Sequence, residues 1–504
     1  MRARSALAGV LAVGAALALV ELVAGLTARV PSAVDAVGQQ LIPWFPTVVE
    51  QWAIRTFGTA DTAVLNAGTT VVALSVGAVT GLVARRSFAV ALAVFAGFGA
   101  LGVLAGIAAA GAWWPAVVGT LLVAVLLGLG VLRRLLPTAP TELDAAGPDG
   151  GLDRRGFLAA ATGVAAATVL ALATGRFVLR DRLAVVDPGE VTLPAPARAL
   201  PDVPASAGFD IEGLSPVLTP NDRFYLIDTA ISSPQIDPAT WQLRIHGAVE
   251  REVVLTYDDL LALPLREVDV TLSCVSNEVG GSLVGNARWL GTPLRDLLDR
   301  AGVLEGGEQV IGRSEDGFTA GFPTAAVYDG REAMVVVGMN GEPLPVDHGF
   351  PARLVVEGLY GYVSATKWLT EIELTSWDVD AYWIPRGWAK EGPIKTQSRI
   401  DVPGTGAAVP AGEVVVAGVA WAPGRGIGRV EVQLDGGDWR EAELAEPLSE
   451  ATWVPWRVAL ELPAGDHELR VRATDGSGVT QGEEPVPPRP DGAEGWHRVT
   501  VRAT

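Results

Sequence analysis

The sequence predicts three fold classes in series: an N-terminal α-helical membrane bundle of about five spans, an α+β domain, and a C-terminal β-sandwich. Three observations lead there. Residues 1–182 are dominated by Ala, Val, Leu and Gly, with five apolar stretches at roughly 5–27, 62–83, 87–109, 112–132 and 157–179, each near the ~20 residues that cross a bilayer as a helix. Residues 216–398 mix strand-like alternation with short helical patterns. Residues 399–504 carry short strands punctuated by glycine, the pattern of a sandwich. Between them, 183–215 is rich in Pro, Ala and Asp and reads as a linker and extended arm.

Arginine placement orients the spans. Arg2 and Arg4 precede the first, Arg85-Arg86 separate the second and third, Arg133-Arg134 follow the fourth, and Arg154-Arg155 precede the fifth. All four groups fall on one side if the N-terminus is cytoplasmic, which puts everything after about residue 180 outside. The expected localisation is a multi-pass cell-membrane protein with an extracytoplasmic soluble part. Trp113-Trp114 then fall at the outer interface, whereas Arg29, Arg55 and Arg176 fall against the rule. The 29–61 segment, with Pro43-Trp44-Phe45-Pro46, reads as interfacial. Glu21 lies inside the first span, and an intramembrane carboxylate is a candidate functional group. Asp153-Arg154-Arg155-Gly156-Phe157-Leu158 resembles a twin-arginine export signature; the alternative reading is that these arginines are ordinary positive-inside anchors.

Composition excludes several functions. A net charge of −19 repels nucleic acid. Cys274 is the single cysteine, so no intrachain disulfide forms and no C-x-x-C-H haem site exists. The histidines are His246, His348, His467 and His497, so the spans hold no paired haem ligands.

In the α+β region, Trp241–His246, Val268–Cys274, Ala333–Val337, Arg353–Val356 and Trp368–Leu374 read as strands, and Tyr257–Leu263 and Pro293–Ala301 as short helices. Cys274 ends a strand ahead of the Gly280-Gly281 turn. By position alone such a cysteine is more often a small buried hydrophobe than a ligand. The surrounding residues change that reading. They run Leu218-Thr219-Pro220-Asn221-Asp222-Arg223-Phe224-Tyr225, then Asp237–Gly247, then Thr271-Leu272-Ser273-Cys274. Met339–Pro345, Asp347-His348-Gly349-Phe350-Pro351-Ala352-Arg353 and Gly361–Trp368 follow. Collinear in this order, they resemble the sulfite oxidase family of molybdopterin enzymes over about 218–500.

The resemblance implies a molybdenum–molybdopterin cofactor with Cys274 as metal ligand and catalytic residue, since thiolates are soft, electron-donating ligands. It further implies a pterin and phosphate pocket of Phe224, Tyr225, Leu226, Asp316, His348, Arg353, Ser364, Ala365, Thr366 and Lys367. Arg353 would grip phosphate bidentately and Lys367 would meet it as a point charge. Taken singly, His348 reads equally as a turn residue, Arg353 as the partner of a buried carboxylate, and Lys367 as a solvated strand residue. Two departures bear on the substrate. Where the family carries Arg-Asn-His, this chain has Ile227-Asp228-Thr229, and where it carries two arginines after the Asn of the cysteine loop, this chain has Glu278-Val279.

Strands at Glu413–Ala420, Arg429–Leu434, Trp453–Leu462, His467–Ala473 and Trp496–Arg502, with the hairpin signal Asp435-Gly436-Gly437, resemble the family's immunoglobulin-like dimerisation domain. Trp421, Trp439, Trp453, Trp456 and Trp496 read as packing residues rather than an electron relay.

The function expected from the resemblance is oxygen-atom transfer on a small-molecule donor or acceptor. Electrons would pass to or from a separate carrier, cytochrome or quinone-linked, and a homodimer is expected as one possibility. The alternatives are a sulfoxide or N-oxide reductase fed from a membrane partner, sulfite oxidase proper, and a cofactor-free scaffold.

Overall fold

The computed structural model describes residues 2–27, 29–41, 61–109, 112–136, 153–179, 187–230 and 233–504. These form two compact units, one reaching residue 179 with 230 and 233, the other of 187–229 and 234–504.

The first unit holds α1 (Arg2–Ala24), α2 (Ala33–Leu41), α3 (Asp61–Ala84), α4 (Phe88–Ile107), α5 (Trp114–Leu135) and α6 (Arg154–Ala173). Among the described residues, five helices are long and apolar enough to cross a membrane, at the positions the sequence predicts. Side chains on the α1–α3 seam are small. A Cβ on Gly9 would sit 1.9 Å from the Gly77 carbonyl oxygen, and one on Gly81 2.0 Å from that of Ser5, so only glycine permits this approach. Asp153 caps α6, accepting from the Gly156 amide at 2.7 Å, which places Arg154 and Arg155 in its first turn.

The charges that defied the orientation rule have local partners. Arg176 lies 3.8 Å from Glu21 and 3.7 Å from Asp35, Ser32 donates to Glu21 at 2.6 Å, and Asn66 donates to Asp35 at 2.8 Å. Glu21 is thus compensated within its own unit, as a buried carboxylate requires. Arg29 stacks on Trp113 at 5.7 Å. Pro43-Trp44-Phe45-Pro46 and Arg55 lie outside the described residues.

The second unit begins with an arm that runs across both of its halves. The Ala197 amide donates to Leu265 and the Glu267 amide to Arg198, while the Glu446 amide donates to Ser206. Two sheets follow. One runs β2 (Val253–Thr256), β1 (Gln242–Gly247), β10 (Leu369–Thr375), β5 (Gln309–Ser314), β6 (Thr319–Pro323), with β1 and β10 parallel. The other runs β3 (Arg266–Ser273), β4 (Val284–Pro293), β7 (Ala333–Met339), β8 (Glu342–Pro343), with β9 (Arg353–Val356) also on β7. Helices α7 (Tyr257–Leu261) and α8 (Leu294–Ala301) pack apolar faces on a core that includes Trp289, Phe322 and Phe350. A single turn, α9 (Gly361–Ser364), precedes β10.

The C-terminal part is two sheets. The first is β11 (Gln397–Val402), β13 (Gly412–Trp421), β17 (Val454–Leu462), β16 (Glu443–Leu444). The second is β12 (Ala408–Val409), β19 (His497–Ala503), β18 (Gly465–Asp475), β14 (Ile427–Leu434), β15 (Trp439–Glu441). Val416, Trp456 and Leu460 of the first face Val432, Leu469, Val471 and Val501 of the second across one core, a sandwich arrangement. The Asp435-Gly436-Gly437 turn joins β14 to β15 with Asp435 and Gly436 at positive φ, as a tight hairpin requires. Trp421, Trp453 and Trp456 are buried, and Trp439 and Trp496 meet edge to face at 4.9 Å.

Strands the sequence reading passed over, β2, β4, β5, β6, β8, β11, β12, β15 and β16, are short or interrupted by Gly, Asn and Pro. Their neighbours' hydrogen bonds define them, not an alternating pattern.

Candidate functional site

Cys274 is the first residue beyond β3, whose last residue, Ser273, pairs with Val284 of β4. The loop between them closes on itself. The Cys274 amide donates to the Leu283 carbonyl at 2.9 Å, and the Leu283 amide donates to the Asn277 side chain at 2.8 Å. The Ser276 amide donates to the Cys274 Sγ at 3.4 Å. Cys274 is 7% exposed. Burial pushes its thiol up, against the Ser276 hydrogen bond, so an electropositive partner is needed to hold it as thiolate.

Around it stands an aromatic and cationic wall. Phe224 and Tyr225 stack at 5.2 Å; His348 meets Phe224 edge to face at 5.6 Å. Burial, with Cys274 nearby, raises the Tyr225 hydroxyl, and Arg353 opposes the rise, so Tyr225 lies within electrostatic reach of both. Burial and Cys274 likewise contribute to pushing Tyr360 up to about 12.

Arg353, the first residue of β9, is 5% exposed. Its guanidinium sits 5.1 Å from the Trp289 ring centre and donates from Nη1 to the His348 carbonyl at 3.0 Å. Its Nε has no hydrogen-bond partner, and among the described residues no carboxylate pairs with it. Burial lowers it to about 10, so it stays charged at neutral pH. A buried guanidinium without a counter-ion expects an anion, which leaves no support for the carboxylate-partner alternative.

His348 is buried and donates from Nε2 to the Asn221 carbonyl at 2.8 Å. Burial lowers it to about 4, so the neutral ring is the stable form. Gly349, at φ +108°, lets the backbone pass between Arg353 and Lys367, whose Cβ atoms lie 3.2 and 3.0 Å from where its own would be. Lys367 is buried rather than solvated. It donates to Asp228 at 2.6 Å and to the Asp347 carbonyl at 2.9 Å.

Ser364 is buried in α9 and donates to the Leu359 and Tyr360 carbonyls. The Ala365 amide donates to Gly361, and the Thr366 carbonyl accepts from Leu354, while the buried Thr366 hydroxyl lacks a partner. Asp316 accepts from Thr229 at 3.3 Å and from the Phe318 amide at 3.1 Å.

The structure therefore brings Tyr225, Cys274 and Arg353 together, and joins Phe224, His348 and Lys367 to them through shared contacts. Leu226 is exposed, with no contact tying it to this group. Asp228, marked in the sequence only as a departure, emerges as the Lys367 counter-ion. Trp289 emerges as the platform under Arg353. Neither has a local sequence signal.

The residues fit a molybdenum–pterin group: a soft donor in Cys274, an uncompensated buried cation in Arg353, and orphaned donors at Arg353 Nε and Thr366 Oγ1. Arg288, the arginine that precedes Trp289 on β4, is committed elsewhere, with two 2.9 Å hydrogen bonds to Asp269 and one to the Pro201 carbonyl.

Comparison with known proteins agrees. Residues 230–383 match the oxidoreductase molybdopterin binding domain, and 392–504 the Mo-co oxidoreductase dimerisation domain. Mitochondrial sulfite oxidase of Rattus norvegicus is 32% identical over 337 residues, covering 56% of this chain and 61% of that protein. The chain thus spans about three fifths of the length of the mammalian relatives it matches. Sulfite oxidase of Gallus gallus is 31% identical, covering 54% of this chain and 69% of that protein. The crystal structure of the sulfane dehydrogenase SoxCD from Paracoccus pantotrophus superposes with a TM-score of 0.51 at 25% identity, covering 57% of this chain and 82% of that one. The chain belongs to the sulfite oxidase family of molybdopterin oxidoreductases.

Proposed function

We propose that this chain is a membrane-anchored molybdenum oxidoreductase. It transfers an oxygen atom to or from a small substrate outside the cytoplasm and exchanges electrons with a separate cytochrome or quinone-linked carrier. The observation that carries this reading is the buried Cys274 thiol within electrostatic reach of the same Tyr225 as Arg353, a buried cation with no carboxylate partner among the described residues. When bound, the molybdenum–pterin group supplies two-electron redox chemistry and a site for oxygen-atom exchange.

The chain's own residues have these roles. Cys274 is the protein thiolate for the metal, and Arg353 neutralises the cofactor's phosphate. His348, neutral at physiological pH, holds the Asn221 segment beside the pocket. The backbone of Ser364, Ala365 and Thr366, with Phe224 and Tyr225, would line the pterin, and Asp316 would accept from its N–H groups. The dimerisation-type domain supports a homodimer.

The substrate side favours a neutral molecule over sulfite. Ile227 is 46% exposed beside Leu226, where the family carries a cation, and a desolvated dianion left unpaired is costly. The same neutral surface suits a sulfoxide or N-oxide reductase, so the direction of transfer follows the partner's potential.

The test is metal and turnover together. Purified chain should hold about one molybdenum with pterin, as one thiolate site implies. Cys274→Ser should fold normally but lose molybdenum and dye-linked turnover, because a hydroxyl is a harder, poorer donor. Unchanged metal content in Cys274→Ser would remove the assignment.

A further inference from the structure

The loop that carries Cys274 is held from outside its own domain. Its own hydrogen bonds, Cys274 to Leu283, Leu283 to Asn277 and the Gly281 amide to the Glu278 carbonyl at 2.8 Å, shape the loop but leave the Gly281 carbonyl and the bare Gly280 backbone to other partners. Those partners come from the C-terminal sandwich. Arg399 of β11 donates from Nη1 to the Gly281 carbonyl at 2.7 Å. Its other nitrogens are equally committed, Nε to Asp401 at 2.6 Å and Nη2 to the Ser215 hydroxyl at 2.8 Å. A guanidinium reaches three acceptors in one plane, which a lysine cannot.

His497 of β19 covers the other glycine. A Cβ on Gly280, at φ +77°, would lie 2.2 Å from His497 Cδ2 and 2.3 Å from Nε2, so the ring rests on the bare backbone. The ring is fixed in turn, accepting at Nδ1 from the Ile400 amide at 3.0 Å. The same sandwich grips the strand that leads into Cys274. The Thr271 amide donates to the Ala451 carbonyl at 3.0 Å, and the Trp453 amide donates to the Thr271 hydroxyl at 2.8 Å. Both sides of Cys274 are therefore anchored by a domain whose family description is dimerisation.

We infer that the C-terminal sandwich is an intrachain clamp on the cysteine loop, with Arg399 and His497 as positioning residues that set where the Cys274 sulfur points. Groups that orient a metal ligand tune the metal nearly as strongly as the ligand itself. The inference takes from the proposed function only that Cys274 is the metal's thiolate.

The test uses the single thiol as its own reporter. Full-length, cofactor-free protein in detergent is treated with a small alkylating reagent, and all label reports on Cys274. Arg399→Ala and His497→Asn should each speed modification about tenfold by letting the loop open. Asn retains an acceptor for Ile400 but removes the ring from Gly280. Arg399→Lys, which keeps one donor for Gly281, should fall between Arg399→Ala and the parent. Arg502→Ala, on the same β19 as His497, breaks only an exposed pair with Asp466 of β18 and should leave the rate unchanged. Molybdenum retention in cofactor-loaded protein should fall in the same order. Should Arg399→Ala fail to fold, His497→Asn carries the test. Alkylation rates within about twofold of the parent for the folded variants would overturn the clamp. That outcome would leave the proposed oxidoreductase intact, because the labelling needs no cofactor and no turnover.

Discussion

The Lys367 ammonium lies 2.6 Å from an Asp228 carboxylate oxygen, with only 9% of the lysine side chain exposed. Burial pulls that ammonium below the usual lysine range, and the carboxylate opposes the pull. Lys367 therefore reaches the pocket as a compensated cation, whereas Arg353 reaches it uncompensated. That contrast assigns the stronger anion demand to Arg353.

Asp228→Asn should destabilise the cofactor-free protein by about 1–3 kcal/mol, because it removes the carboxylate paired with a buried ammonium that otherwise donates to the Asp347 carbonyl. Inorganic phosphate should return more of the lost melting temperature in this variant than it adds to the parent. An equal phosphate effect on both would mean the Lys367 site does not accept an anion.

His348 gives a pH signature. Its folded value, about 4, lies below the ordinary 6.5, so between those values the unfolded chain binds the extra proton. Its contribution is present above 6.5 and lost as pH falls toward 4, at most about 3 kcal/mol by the ~1.4 kcal/mol per unit conversion. His348→Gln keeps a donor for Asn221 and does not titrate. The fall in melting temperature from pH 7 to pH 5 should be smaller in this variant than in the parent.

Glu278 is exposed on the cysteine loop, where the family places arginine. Glu278→Arg should lower the KM for sulfite while changing that for a neutral oxygen donor or acceptor little, since only the anion gains a partner. Steady-state kinetics on both substrate classes decide it. Efficient sulfite oxidation by the unmodified protein would show that other cations serve the site.

A reporter enzyme that is active only outside the cytoplasm should work when fused after residue 190 and be silent near residue 145, as five spans and the arginine pattern require. Arg154→Lys with Arg155→Lys keeps the charge. Loss of export in that variant would identify a twin-arginine signal, and survival an ordinary anchor.

Local chemistry makes much of this protein legible in sequence. The five long apolar helices are readable because about twenty consecutive apolar residues stand out whatever surrounds them. Strands β7 and β9 are readable as buried, mostly apolar runs, and β3 and β10 as alternations of apolar with polar residues. Cys274, His348 and Arg353 stand in collinear motifs, so their identity and order along the chain sufficed to nominate them. By contrast β4, Val284–Pro293, carries Gly, Asn and Pro and is a strand only because β3 and β7 supply hydrogen bonds on both sides.

Only the tertiary structure decided which partners those residues have. Asp228 meets Lys367 across 139 residues, Arg399 meets Gly281 across 118, and Arg176 closes on Glu21 from another helix. No local pattern encodes such pairs, because a side chain's neighbours in space are set by sheet order and domain packing. The residue types and their order along the chain were determined by the sequence itself, through periodicity, hydrophobicity and the donor chemistry of single side chains. The compensation of each buried charge was determined by the fold, because desolvation and pairing depend on distances that exist only once the chain has closed.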